Sequence, residues 1–328
     1  MRRVMALVTL GVALAATGVR ADETLGVNAF PSAANLPVWV GQHQKFFERH
    51  GLTVELSHPK GSVDQFKGMA EGRYAVVLTA FDNIVAYRDG HGEADLGGPL
   101  DLVAFMGMDG GFLSLMAAPG TRSIADLKGK AMAVDALTTG FSFALEDLLT
   151  RAKVNKDDET YVAVGSSGAR WKALQDGKAQ AALLTMPVDL DAADKGFVKL
   201  ASVAGTLGHY QATAAAVRQS WAKAHGATLI AFLKGYRESV AWLVAPANKE
   251  AAIAILHQEM PDLDPQKLGR IYALLIDRKE GIERNLAIDP QGAATVLRLR
   301  ARYAPPAAVP AHDWRYYTDR SYLAHAMK

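Results

Sequence analysis

From Thr24 to about Val203, short apolar runs alternate with segments whose apolar residues recur at helical spacing. The runs 24–29, 52–57, 75–79, 102–108 and 113–118 predict strands. Between them, 37–50, closed by Gly51, 62–71 and 82–88, ending at Gly90, predict helices. Ser62 and Gln65 have the spacing of a capping box, as do Ser123 and Asp126. A second series follows, with strands over 131–134, 161–164, 181–184 and 197–203 and helices over 140–151, 169–176 and 189–195. Such alternation makes an α/β fold with doubly wound, mostly parallel sheets. After Tyr210 the pattern turns helical, over 227–244, 249–259, 265–277 and 290–303. Asp264-Pro265 and Asp289-Pro290 give two of these helices an N-cap and a proline at the first helical position. This tail has no βαβ unit of its own and is expected to pack on the first lobe.

One pattern occurs twice. Ala70-Glu71-Gly72-Arg73 leads into Val76-Val77-Leu78-Thr79 and Asp82, and Leu174-Gln175-Asp176-Gly177-Lys178 leads into Ala182-Leu183-Leu184-Thr185 and Asp189. Any αβ unit has this outline. Two lobes of like design, with strand ends facing one cleft, would have it too, and ligands of open α/β sheets bind beyond the carboxyl ends of strands.

The N-terminus has the form of a secretory leader: Arg2 and Arg3, an apolar stretch over 4–16, then Val19-Arg20-Ala21, which places cleavage after Ala21. About a dozen apolar residues are too few to span about 30 Å of hydrocarbon. The net charge of +2 and the lack of a dense basic tract argue against nucleic acid. With no cysteine, disulfides, Cys-ligated zinc, iron–sulfur clusters and thiol nucleophiles are excluded. The nine histidines make no H-E-x-x-H or similar metal pattern, and there is no G-x-S-x-G elbow or Walker loop. No cofactor, catalytic residue or metal site is expected.

Several features together resemble one family. They are the leader, Asn35-Leu36-Pro37 and the helix through Phe46-Phe47 to Gly51-Leu52, then Ser123-Ile124-Ala125-Asp126-Leu127-Lys128-Gly129-Lys130. Thr138-Thr139-Gly140, Ala173-Leu174-Gln175-Asp176-Gly177 and Pro246-Ala247-Asn248-Lys249-Glu250-Ala251-Ala252 follow. The chain resembles the nitrate/sulfonate/taurine and thiamine-precursor group of periplasmic substrate-binding proteins of ABC importers. It departs from that group at Tyr74-Ala75 and Ala179-Gln180, where members often carry Asp after the glycine turn. The resemblance implies a class II two-lobe fold joined by two crossover strands, here near 117–121 and 205–210, which closes around its ligand. The expected division is leader 1–21, first lobe 22–117, second lobe 118–205, and a return to the first lobe over 206–328. It also implies a monomer in the periplasm, without stable membrane insertion, that delivers a small polar organic ligand to a permease. That ligand would be a sulfonate, carboxylate, nitrate-like anion or heteroaromatic. Two alternatives are an enzyme on the same fold, such as a pyrimidine-precursor synthase or menaquinone-pathway lyase, and a sensor for a membrane receptor.

Candidate ligand contacts lie where strands end. Thr138, Thr139, Gly140 and Ser142 open a helix whose free N–H groups and positive dipole end suit an anion or carbonyl, although one Thr would suffice as a plain cap. Phe30, Ser32 and Asn35 follow the first strand, and Phe30 either stacks on a flat ligand or caps the core. Ser62 is a cap first and a contact second. Thr79, Phe81, Asp82 and Asn83 form the first-lobe loop, and Pro187 and Asp189 the matching second-lobe loop. Asp109 and Gly110 belong to a glycine turn before a crossover, and His209 and Tyr210 enter the return. Arg170 could meet a carboxylate or sulfonate, but a structural acid is its commoner partner.

Overall fold

The computed structural model describes residues 23–155 and 160–328, so the expected leader over 1–21 lies outside the described residues. The chain begins with β1 (Glu23–Ala29), α1 (Leu36–His43), β2 (Leu52–Ser57), α2 (Ser62–Ala70), β3 (Val76–Ala80), α3 (Phe81–Arg88) and β4 (Leu102–Asp109). It continues with β5 (Leu113–Ala117), β6 (Ala131–Val134), α4 (Gly140–Arg151), β7 (Thr160–Ala163) and α5 (Ser167–Gln175). Then come β8 (Ala181–Thr185), α6 (Val188–Asp194), β9 (Val198–Ser202), α7 (Val203–Leu207) and β10 (Thr213–Arg218). The last helices are α8 (Gln219–Ala224), α9 (Gly226–Leu243), α10 (Lys249–Glu259), α11 (Pro265–Leu275), α12 (Pro290–Tyr303) and α13 (Ser321–Ala326).

The strands form two sheets of five, ordered β2-β1-β3-β10-β4 and β7-β6-β8-β5-β9. Both are mixed, with one reversed strand next to the edge: β10 runs against β3 and β4, and β5 against β8 and β9. Each reversed strand is the first the chain makes after crossing between the sheets. Entering from the side where the other strands end, it has to run the opposite way. The two orders correspond strand for strand, and β3 and β8 hold equivalent places. The repeated helix–glycine–strand pattern is therefore a repeat of topology. Gly72 and Gly177 close its two helices at φ +75° and +68°, where a side chain would be strained.

The first crossover differs from the expected one. Residues 113–117, assigned to the first lobe by a boundary at 117, form β5 inside the second sheet, between β8 and β9. The chain changes sheets at Gly110-Gly111-Phe112, while Ala118 continues the β5 edge by donating to the Gln180 carbonyl. β10 is also absent from the pattern of predicted strands. Its sequence, Thr-Ala-Ala-Ala-Val-Arg, is poor in the β-branched and aromatic residues that signal a strand.

Two helices start or stop for reasons beyond periodicity. The helix expected over 37–50 breaks after His43, and Lys45 takes φ 59°. The turn brings Phe47 back under α1, where its ring stacks on Phe232 at 5.4 Å and fills the space left by Gly41 and Gly235. The Ser62 cap does not form, because Gly61 is the N-cap and Gln65 instead reaches inward to the Asn28 side chain. The Ser123–Asp126 box and the Asp264 and Asp289 caps all form.

One core layer joins the first sheet to α1, α9, α10 and α11 through Phe47, Phe105, Phe232 and Tyr236. A second runs from α2, α3 and α12 across to α4 of the other lobe. A third packs α5 and α6 on the far face of the second sheet around Trp171 and Leu184. No single helix among the described residues is long and apolar enough to cross a membrane.

Candidate ligand-binding cleft

Strand register fixes where the two sheets meet. Ala80 at the end of β3 and Asp109 at the end of β4 both lie opposite Thr213, the first residue of β10. In the second sheet, Thr185 at the end of β8 lies opposite Leu113, the first residue of β5. Only residues 110–112 separate Asp109 from Leu113, a span of at most about 14 Å. The carboxyl ends of both sheets therefore face one another across a short hinge. The two crossovers touch there: a β-carbon on Gly111, at φ +88°, would lie 2.6 Å from the Ala212 β-carbon.

The buried Asp109 carboxylate accepts from the Gly111 amide at 2.6 Å. Burial pushes its carboxyl up from the ordinary range, against the hydrogen bonding that lowers it. Above its folded pKa the native hinge thus carries a desolvated charge, which destabilises the fold by about 1.4 kcal/mol for each tenfold weakening of the acid. Asp109→Asn keeps an acceptor and removes the charge. It should raise the unfolding free energy at pH 8. The gain should shrink as pH falls through the raised pKa of Asp109, where the carboxyl takes up a proton, and vanish below the ordinary carboxylate range. Urea denaturation at both pH values checks the sign.

On one flank of the gap the lobes are tied by charge. Arg300 of α12 donates to both Asp82 oxygens at 2.7 and 2.8 Å, and each side chain is 2% exposed. The same guanidinium donates to the Thr138 carbonyl in the second lobe at 3.3 Å and lies 5.4 Å above the Phe143 ring. The Tyr210 hydroxyl donates to the Gly140 carbonyl at 3.4 Å, and the Thr138 hydroxyl to Glu93. A β-carbon on Gly140 would lie 2.4 Å from that of Asp82. The positive end of α4, expected to meet a ligand, thus abuts the Asp82 carboxylate.

The opposite flank holds a cavity of about 310 Å³. Hinge residues Gly110 and Phe112, second-lobe residues Leu113, Ser114, Met186, Asp189, Lys199, Ser202 and Ala204, and Leu274, Asp277, Lys279 and Glu280 from the end of α11 and the segment after it line it. Lys267 of α11 bridges Asp191 and Asp194 of α6 at 2.5 and 2.7 Å beside it. Ser202 donates to Glu280 at 3.3 Å across it. Asp189 is 7% exposed; one of its oxygens accepts from Ser114 at 2.7 Å, and the other has no hydrogen-bond partner.

Of the residues singled out from the sequence, Gly110 and Asp189 line this cavity, and Pro187 follows its Met186 in a cis peptide. Asp82, Thr138, Gly140 and Tyr210 meet on the tied flank. Thr139 caps α4 by accepting from the Ser142 amide and donates to Asp135. The buried Ser142 hydroxyl has no partner. Phe30 lies half-buried where β1 ends, and its carbonyl accepts from Asn35. Ser32 caps the turn that precedes α1, and Ser62 is half-buried without a capping role. Thr79 accepts from Asn83 inside the first lobe, and Phe81 is core. His209 pairs with Asp289 at 2.8 Å on an exposed face. Arg170 is buried and donates to the Leu183 and Gly165 carbonyls, with Asp135 as the acidic group that favours its charge.

Arg300, Ser114, Lys199 and Glu280 are not marked out by the motifs of the sequence. For Arg300 a signal exists. Helical spacing puts it on the apolar stripe with Val296, Leu299 and Tyr303, a place where a charge needs a buried partner.

Two α/β lobes joined by a double crossover, with their strand ends facing, define the class of periplasmic-binding-protein folds. The chain belongs to the NMT1/THI5-like family, whose model matches residues 33–249. Similar solved structures include the periplasmic nitrate-binding protein NrtA from Synechocystis PCC 6803, at 12% identity and TM-score 0.77, over 92% of this chain and 88% of that one. The periplasmic aliphatic sulphonate-binding protein SsuA from Escherichia coli is 18% identical at TM-score 0.69, over 90% and 92%. The ligand-binding component of an ABC-type import system from Staphylococcus aureus is 13% identical at TM-score 0.73, over 93% and 99%. No curated protein matches the sequence.

Proposed function

We propose that this protein is the substrate-binding component of an ABC importer, exported with removal of the leader after Ala21, and that it works as a monomer in the periplasm. It takes a small polar organic molecule between its lobes and presents the closed form to a permease. Closure drives capture because only the closed form touches ligand from both sides. The observation that carries this reading is the pair of facing carboxyl edges across a hinge of residues 110–112, with a cavity of about 310 Å³ where the lobes meet. The family and the nitrate- and sulphonate-binding neighbours support it. Within the gap we assign ligand contact to Gly110 and Asp189, which line the cavity, and to Pro187, which follows Met186 of its wall. Asp82 is committed to Arg300 and is not assigned.

Native mass spectrometry of protein purified from the periplasm tests this. The expected result is a monomer that begins at Asp22, with a retained small molecule lost on partial denaturation. Adding that molecule back at about a hundred times its dissociation constant should stabilise the fold by about 2.7 kcal/mol. A chain that retains its leader in the cytosol, or one that binds no small molecule, would end the proposal.

A further inference from the structure

Among the described residues, four that are not glycine take a positive φ: Lys45, Phe112, Lys153 and Leu286. Lys45 and Lys153 lie in the turns that follow α1 and α4, and Leu286 is fully buried in the first core layer. Neither reason applies to Phe112. It is the last residue of the hinge, at φ 48°, directly after Gly111 at φ +88°. A bulky side chain is strained in this left-handed region, where glycine is at ease. Strain of this kind persists where the surroundings over-determine the backbone, and it clusters at ligand clamps and switch segments.

The side chain of Phe112 is half-buried. It packs against the first core layer, and it lines the cavity of about 310 Å³ between the lobes. Of the residues that line this cavity it is the one aromatic. Leu113, Met186 and Ala204 of the second lobe and Leu274 of α11 give the same space further apolar wall. An apolar group placed there is covered from both lobes, which is the contact that closure requires.

We infer that Phe112 is a ligand-contact and specificity-determining residue, whose ring takes the flat apolar face of an organic ligand against Met186 and Leu274. This assignment rests on the reading of the cavity as the ligand site. Its driving force is the burial of apolar surface, and an aromatic ligand adds the geometric preference of ring against ring. The polar end of the ligand lies toward the exposed Lys199 and Lys279, which line the same cavity. A small inorganic anion has no surface to lay on the ring. The site therefore favours a molecule with an aryl or heteroaryl group over a bare ion of the same charge.

Calorimetric titration of the whole mature protein with benzenesulfonate and methanesulfonate tests the assignment, because the probes share a head group and differ in the part that meets the ring. Benzenesulfonate should bind the wild type at least tenfold more tightly, a difference of about 1.4 kcal/mol. The readout is the ratio of the two affinities within each protein. A change that only weakens the fold or its closure lowers both affinities alike and leaves the ratio unchanged. Phe112→Gly removes the ring and the backbone strain together, and its ratio should fall to near one. Phe112→Leu keeps apolar bulk at the hinge, and its ratio should fall at least threefold, which also carries the test if the glycine variant does not fold. A wild-type ratio near one, no benzenesulfonate binding to the wild type, or a wild-type ratio retained in both variants would each overturn the inference. An inorganic anion retained from the periplasm, with benzenesulfonate silent, would overturn it and leave the binding function standing. Absence of any bound molecule would remove both.

Discussion

Replacing Arg300 with methionine should lower the unfolding free energy by about 3–5 kcal/mol, because it strands a buried Asp82 carboxylate. Both oxygens of Asp82 are held by Arg300, and both side chains are 2% exposed, so water cannot take over the lost bonds without opening the structure. The loss should extend beyond the first lobe, since the same guanidinium also holds the Thr138 carbonyl. Asp82→Leu should cost a similar amount by leaving the cation unpaired. The double variant Asp82→Leu, Arg300→Met should recover most of the loss, because two apolar side chains in a well-packed site avoid the desolvation of both charges. Urea denaturation of the four proteins closes the cycle. A single-variant loss under about 1 kcal/mol would mean that the pair is solvated and contributes as little as a surface bridge.

The α/β class, most elements and the start of α4 are legible in the sequence because periodicity and caps are local. α4, α10 and α12 begin and end where apolar spacing, Thr139, and Asp289 with Pro290 place them. Sheet membership is not local. A glycine pair between two apolar runs reads as a hairpin or as a hinge, and only the pairing of β5 with β8 and β9 decides. β10 escapes notice for a related reason. Its alanines suit a crowded central position between β3 and β4, where small side chains let α3 and α12 approach, yet alanine by itself carries little strand signal.

The site is legible in outline and not in assignment. Strand-end loops are the right places to look, and Gly110 and Asp189 come from that rule. The rule cannot say whether a polar side chain is free or already engaged. Asp82 and Asp189 occupy matching positions after β3 and β8. One is neutralised by a helix more than two hundred residues later in the chain, and the other keeps an empty acceptor. The segment after α11, which forms the outer wall of the cavity, carries no periodicity that would place it there.

Gly140→Val should weaken ligand capture about 5- to 150-fold and enlarge the radius of gyration of the liganded protein. The β-carbon would overlap the Asp82 β-carbon at 2.4 Å, close to the backbone, where no rotamer change relieves the contact. Asp82 cannot swing aside either, because Arg300 holds both of its oxygens. The remaining routes are to unwind the first turn of α4 or to part the lobes. Overpacking of a tight contact costs about 1–3 kcal/mol, which corresponds to that loss of affinity. In the proposed open and closed cycle, parting the lobes places that cost on the closed state alone, so the unfolding free energy of the ligand-free protein should change less than the binding free energy. Small-angle scattering with and without ligand, beside calorimetry, separates the two routes. An equal loss of stability and affinity would place the strain within α4. A variant that binds and closes like the wild type would show that Asp82 and Gly140 do not meet when the protein holds its ligand.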